Sequence, residues 1–132
     1  MAKEFVVKAK ENCIRFGKGV KTGLVLARGQ RLVIKATGTW SLGEGDRTSD
    51  ANGLGNPQGG KDFGVHTWNS AQYIYGSLVG SVDNGKTFFP VGTRLDMPVL
   101  APGKLSLWCW DSNSADNSGA ITATVDVVDL NG

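Results

Sequence analysis

The chain has 132 residues, a length that fits one domain and can bury a hydrophobic core without several disulfides or metals. Its 14 Lys and Arg residues against 12 Asp and Glu give a formal charge of +2. The basic residues form no dense run, so the sequence does not indicate nucleic-acid binding. Charged residues return directly after Phe5-Val6-Val7, so we expect no signal peptide and no membrane insertion, and a chain that is cytoplasmic or released without a leader.

Glycine punctuates the chain regularly, and no stretch has the apolar spacing of an amphipathic helix. Short alternating or β-branched runs recur instead, and they predict about seven or eight strands. In chain order the runs are residues 5–9, 23–27, 31–37, 72–79, 93–99, 104–110 and 120–128. In the last run Ile121, Ala123, Val125 and Val127 share one face, which predicts that this face packs on a core. The pattern predicts one all-β domain over residues 1–132, an antiparallel β-sandwich or a barrel.

Residues 41–70 contain a polar, glycine-rich segment without a strand signal, and we expect a long functional or mobile loop there. Residues 55–61 match the start of a phosphate-binding P-loop, but Asp62 replaces the Ser or Thr that should follow, and no strand and helix flank the segment. We therefore expect no nucleotide site. His66 is the only histidine, which argues against a zinc or hydrolase site and favours a surface or stacking role. The two cysteines fit no redox or zinc motif, so we expect unpaired, half-buried thiols.

The segment from Asp111 to Gly119 joins two apolar strands by a run of small and polar residues longer than a plain hairpin needs. Asp111, Asn113, Asp116 and Asn117 bring hard oxygen atoms close together, and calcium binds about six to eight such atoms. The segment lacks the EF-hand pattern. Its composition favours two interpretations equally: a calcium site, or an Asx-rich turn whose side chains cap their own backbone.

Three segments of the chain resemble the calcium-dependent galactose-binding lectins of the PA-I type, known from Pseudomonas. They are residues 36–43, residues 45–54 with the sequence GDRTSDANGL, and residues 105–127 around Asp111 and Asn117. The resemblance covers nearly all of the chain except residues 55–71, which look like an insertion. It implies a jelly-roll-like β-sandwich that holds one Ca²⁺ between two loops, and an ion that directly coordinates two hydroxyls of galactose.

Carried over by position, the resemblance also implies which residues form the site. The implied metal ligands are the Leu42 carbonyl, a carbonyl of Ser114 or Asn113, and the side chains of Asp111, Asp116 and Asn117. The implied sugar contacts are Leu42, Ser49, Asn52, Asp111, Ser112, Asp116 and Asn117. Ser49 and Asn52 stand where the family uses His and Gln to hold an exocyclic hydroxyl, and the ligand loop is shorter than the family's.

The resemblance further implies that the partners are galactose-containing glycans, that the protein is not an enzyme, and that it assembles into a homodimer or homotetramer. One alternative is a structural or assembly module that keeps the sandwich but has lost the metal and sugar site. A second alternative is an enzyme acting on glycans, which would need two positioned carboxylates. Asp46 and Asp62 are the only obvious carboxylates for that role in the long loop.

Overall fold

The structure is a computed structural model that describes residues 2–15, 17–43, 47–54, 64–113 and 115–130. These residues form eleven strands and no helix, which confirms the all-β prediction. The strands are β1 (Lys3–Lys8), β2 (Val20–Leu26), β3 (Gln30–Ser41), β4 (Thr48–Ser49), β5 (Val65–Trp68), β6 (Ala71–Ile74), β7 (Leu78–Ser81), β8 (Phe89–Pro90), β9 (Arg94–Pro98), β10 (Gly103–Cys109) and β11 (Ser118–Asp129). No apolar helix of membrane-spanning length occurs in this described part of the chain.

Two antiparallel sheets form the body of the fold. In the first sheet β11 pairs along its whole length with β3, from Ser118 opposite Ser41 to Asp129 opposite Gln30. The other edge of β11 carries β1, and β4 and β9 share the far edge of β3. The second sheet has the order β2-β10-β7-β8, and β5 and β6 form a separate hairpin. The antiparallel pairing in both sheets confirms the predicted sheet type.

The two sheets bury their facing side chains in one core. On β11 Ile121, Ala123 and Val125 are buried at alternate positions and Val127 packs partly buried against the same core, which confirms the face assigned from the sequence. Alternate residues of β3 and β10, with Leu32 and Leu107 among them, pack in the same cluster. Burial of one face on each of two sheets is the arrangement of a β-sandwich.

A smaller aromatic cluster lies on the opposite face of β10. Because Leu107 and Cys109 belong to the main core, Trp108 and Trp110 point the other way. Both tryptophans are buried, and residues of the β5–β6 hairpin pack against them. Tyr73 of that hairpin meets Trp110 edge-on, with 4.9 Å between the ring centroids. These contacts anchor the hairpin to the outer face of the second sheet.

The region around residues 41–70 is not one continuous loop, which differs from the sequence-based prediction. The short strand β4 pairs with the end of β3, and β5 begins at Val65. The sequence shows no strand signal for β5 because its two half-buried positions are His66 and Trp68, not aliphatic residues. The P-loop-like residues 55–61 lie outside the described residues, as do Asp46 and Asp62.

The single strand predicted at residues 72–79 is two strands, β6 and β7, because the chain turns between them at Gly76. Gly76 has a φ of +76°, which glycine adopts at little cost. Its amide donates to the Trp110 carbonyl at 2.9 Å, and the Trp40 indole donates to the Gly76 carbonyl at 2.9 Å. The turn therefore depends on partners distant in sequence, which a local hydrophobic pattern does not report.

Cys13 and Cys109 are both unpaired, as expected, and both are fully buried rather than half-buried. They face each other across an isolated β-bridge that joins the segment after β1 to the end of β10. The Cys109 amide also donates to the Asn12 carbonyl at 2.8 Å. These contacts hold the end of β10 in place immediately before Asp111.

Candidate functional site

The candidate ligand residues come together at one end of the sandwich. Ser41 at the end of β3 pairs with Ser118 at the start of β11, so Leu42 and Asn117 leave the sheet next to each other. The Leu42 carbonyl accepts a hydrogen bond from the Tyr75 hydroxyl at 3.3 Å. The register of β3 against β11 therefore brings a carbonyl of the first loop to an amide side chain of the second.

Asp111 follows β10 and is only 2% exposed. Its Oδ1 accepts a hydrogen bond from the Asn113 amide at 3.0 Å, whereas its Oδ2 has no hydrogen-bond partner. Burial raises the pKa of Asp111 above its ordinary value, and the charge of Asp116 adds to the rise. The Asn113 amide, the Asn117 side chain and His66 oppose this rise without cancelling it. Asp111 is thus a buried carboxylate whose charge the surrounding protein does not fully balance.

Asn117 precedes β11 and is 5% exposed. Its Nδ2 donates to the Ala9 carbonyl at 2.9 Å, which fixes the amide plane, and its Oδ1 is buried without a donor. Within the described residues, the buried side-chain atoms without a hydrogen-bond partner are His66 Nε2, Asp111 Oδ2 and Asn117 Oδ1. Leaving such an atom unpaired costs about 1–3 kcal/mol, so unpaired buried atoms are uncommon in native proteins. Two unpaired acceptor oxygens on interacting side chains indicate a place for a cation.

Asp116 is exposed and reaches the loop that follows β3. A Cβ atom at Gly43 would lie 2.9 Å from Asp116 Oδ2 and 3.2 Å from Arg47 Nη1. Gly43 also has a φ of +145°, which a residue with a side chain rarely adopts. The absence of a side chain at Gly43 therefore allows the carboxylate of the second loop to approach the backbone of the first.

This set of oxygen atoms fits calcium. It comprises two carboxylates, one amide oxygen and one backbone carbonyl, from Asp111, Asp116, Asn117 and Leu42. Calcium binds such hard oxygen donors, whereas zinc and copper favour His and Cys. In the described part of the chain, no three His, Cys, Asp or Glu side chains form a group that could hold a metal, so a zinc-type centre is not indicated there. Ser112 is half-buried next to Asp111, and Ser114 lies outside the described residues.

Ser49 and Asn52, which are expected to contact a sugar at the rim of the site, are bonded to protein atoms. The Ser49 hydroxyl is buried and donates to the Asp50 carbonyl at 2.7 Å. Asn52 Oδ1 accepts hydrogen bonds from the Thr93 amide at 2.9 Å and the Thr93 hydroxyl at 3.2 Å. Asn52 thus joins its loop to the segment at Thr93, whereas the Ser49 bond is local, and the contact of both side chains with a sugar stays a prediction.

Tyr75 and His66 lie beside the candidate ligand residues, although the sequence favoured only a surface or stacking role for His66. Burial raises the pKa of Tyr75 to about 12, and the charge of Asp111 is the next contributor. His66 influences the pKa of Asp111 and lies 6.2 Å from Tyr75 between ring centroids. The signal that could have located them is the alternation of aromatic and non-aromatic residues over residues 66–68 and again over residues 73–75.

Comparison with known proteins identifies the fold. No family model matches the chain, and no curated protein matches it. Among solved structures, the chain is similar to one described as the EclA N-terminal domain, a PllA-like lectin. The two are 24% identical, the match covers 92% of each chain, and the TM-score is 0.70. The chain therefore has the same β-sandwich fold as that lectin domain.

Proposed function

We propose that the protein is a calcium-dependent lectin that binds galactosides and has no enzymatic activity. The observation that carries the proposal is the pair of buried oxygens, Asp111 Oδ2 and Asn117 Oδ1, that the described protein atoms leave unpaired; strand pairing places Leu42 next to Asn117 at the same end of the sheet. The resemblance to PA-I type lectins and the fold shared with a PllA-like lectin domain support the same function. Calcium would be the resident ion, and a galactose-containing glycan would be the ligand.

The residues of the chain orient the proposed ligand atoms before an ion arrives. The Asn113 amide holds the Asp111 carboxylate, and the Ala9 carbonyl holds the Asn117 amide. Such preorganisation lowers the conformational entropy lost on binding. Asp116 adds a second negative charge from the exposed side. A bound calcium ion would supply free coordination positions in which two adjacent sugar hydroxyls replace water.

The rim of the proposed site contributes less to sugar binding than the ion does. Ser49 and Asn52 already bond to Asp50 and Thr93, so a sugar hydroxyl would have to share or replace those bonds. Ser112, half-buried beside Asp111, is the remaining proposed rim contact. We therefore expect modest affinity per site, with the ion selecting adjacent hydroxyls of suitable stereochemistry.

A glycan array and isothermal titration calorimetry, each run in millimolar calcium and in chelator, test this function. We expect binding to galactosides in calcium only, and Asp111→Ala should abolish it by removing a calcium ligand. Ser49→Ala should cost no more than about 1–1.5 kcal/mol of binding free energy, the net value of one neutral hydrogen bond. Binding to mannose or fucose without galactose would show that the sugar is wrong. Absence of all glycan binding would favour a structural module.

We also propose that the lectin is a homodimer or homotetramer. Weak single-site sugar binding gains greatly from multivalency. The edge strands β1 and β2 expose Val6 and Val25, which are 52% and 65% accessible, and such edges are commonly covered by a partner. Light scattering that shows only a monomer at every working concentration would contradict this assembly.

A further inference from the structure

His66 is placed beside the candidate calcium site by the β5–β6 hairpin. Val65 and Thr67 are exposed, while His66 and Trp68 are half-buried, so His66 faces the protein. The His66 carbonyl accepts a hydrogen bond from the Trp110 indole at 2.7 Å, and the two rings lie 6.5 Å apart between centroids. Because Trp110 immediately precedes Asp111, this bond brings the hairpin to the start of the ligand loop.

The His66 side chain has a buried polar atom that the protein does not satisfy. Among the described residues, neither His66 Nε2 nor Asp111 Oδ2 has a hydrogen-bond partner. The two residues lie close enough to interact electrostatically, but these two atoms do not bond to each other. Tyr75, which lies between His66 and the first loop, already uses its hydroxyl to bond the Leu42 carbonyl. Unpaired buried polar atoms are uncommon in native proteins, so His66 Nε2 is a candidate partner for a polar atom from outside the described chain.

We propose that His66 is a sugar-contacting residue, and that its Nε2 hydrogen-bonds a hydroxyl of the galactoside held at the Asp111 site. This inference rests on the function proposed above. A hydroxyl suits the position because it can either accept a hydrogen bond from an imidazole N–H or donate one to an unprotonated imidazole nitrogen. The rim side chains of Ser49 and Asn52 are bonded elsewhere, whereas His66 Nε2 has an unfilled bond. The β5–β6 hairpin would thus supply a sugar contact that the loop at Ser49 does not.

Calorimetry at saturating calcium tests the role of His66 with galactose as the probe. We expect His66→Leu to raise the Kd for galactose about three- to tenfold, the effect of losing one neutral hydrogen bond, with calcium affinity unchanged. His66→Gln, which keeps a nitrogen donor on a long side chain, should recover part of the loss. The matched control is Thr67→Ala on the exposed side of the same hairpin, which removes a hydrogen bond from Gln72 at 3.0 Å and should bind galactose normally.

A series of monodeoxy galactosides separates a direct contact from a structural effect. If His66 contacts one hydroxyl, the sugar lacking that hydroxyl should bind His66→Leu and the parent chain with the same Kd, while the other sugars keep the full difference. A loss that is equal for every deoxy sugar would overturn the contact. So would a His66→Leu variant that binds galactose as tightly as the parent.

Nuclear magnetic resonance gives a readout that needs no variant, because His66 is the only histidine in the chain. The imidazole nitrogen signals should shift when galactose is added to the calcium-loaded parent, beyond any shift caused by calcium alone. Unchanged nitrogen signals at saturating galactose would overturn the inference for His66 alone. Absence of calcium-dependent galactose binding by the parent would overturn the proposed function and this inference together.

Discussion

Asp111→Asn should reverse the order of stability between the parent and the variant when calcium is added. In the parent, Asp111 Oδ2 and Asn117 Oδ1 are both buried acceptors without a donor. The substitution keeps the size of the side chain and the oxygen that accepts from the Asn113 amide. Its new NH₂ group can donate to Asn117 Oδ1, so one substitution removes a buried charge and pairs a buried oxygen.

The magnitude in chelator follows from these contacts. One gained hydrogen bond is worth about 1 kcal/mol, and relief of the buried charge acts in the same direction. For a domain of this length 1 kcal/mol corresponds to roughly 4 °C in Tm. We therefore expect Asp111→Asn to melt at the temperature of the parent or up to about 5 °C above it in chelator.

In calcium the parent should gain stability and the variant should not. An ion that binds only the folded state stabilises it by about 2.7 kcal/mol when the free-ion concentration is about 100 times the Kd. This gain corresponds to roughly 10 °C in Tm for the parent. The variant loses a charged ligand, so its Tm should stay where it was in chelator. The Tm of the parent, which is lower than or equal to that of the variant in chelator, should therefore be the higher of the two in calcium.

Differential scanning calorimetry at pH 7 measures this reversal. The Tm of both proteins is compared in chelator and in millimolar calcium. The matched control is Asp96→Asn, because Asp96 is an exposed carboxylate that bonds Arg31 on β3, and its loss should leave the calcium response intact. Equal melting of the parent in both conditions would refute the calcium site. A variant that melts well below the parent in chelator would show that the protein itself satisfies Asp111.

Two further substitutions test the loop geometry and the turn after β7. A methyl group at Gly43 would lie 2.9 Å from Asp116 Oδ2, and the residue would have to keep a positive φ. Gly43→Ala should therefore weaken calcium binding about tenfold in calorimetry. An unchanged calcium affinity would contradict the close approach of the two loops. Burial alone would raise the pKa of Asp83, but hydrogen bonds from Thr87 and Ser81 hold it below its usual value. Because the folded pKa is depressed, this stabilisation is complete above the unfolded pKa near 3.8 and is lost as the pH falls through the folded pKa. In urea unfolding, Asp83→Ala should cost about 1–2 kcal/mol at pH 7 and progressively less as the pH falls below the unfolded pKa near 3.8, and a cost that stays constant from pH 7 to about pH 2 would contradict the assignment.

The strands of the main core could be predicted because their side chains alternate in the sequence. Ile121, Ala123, Val125 and Val127 were assigned to a buried face from their spacing alone, and the structure buries the first three and partly buries Val127. The same reasoning failed at residues 72–79, where an apolar run continues through the turn at Gly76. A local bond from the Ser77 amide to the Ile74 carbonyl closes this turn, but the bonds that fix Gly76 itself come from Trp40 and Trp110, and a local pattern carries no information about such partners.

The sequence by itself determined the chemistry available to the site, since Asp111, Asp116 and Asn117 place hard oxygen donors in one loop. Only the tertiary structure decided which atoms are left unpaired. Asn117 Oδ1 lacks a donor because its Nδ2 bonds Ala9, a residue that the pairing of β1 with β11 brings near. His66 reaches the site because its hairpin packs on the aromatic face of β10. Strand register and sheet packing are set by burial of the whole core, so contacts between distant segments cannot be deduced from the residues that make them.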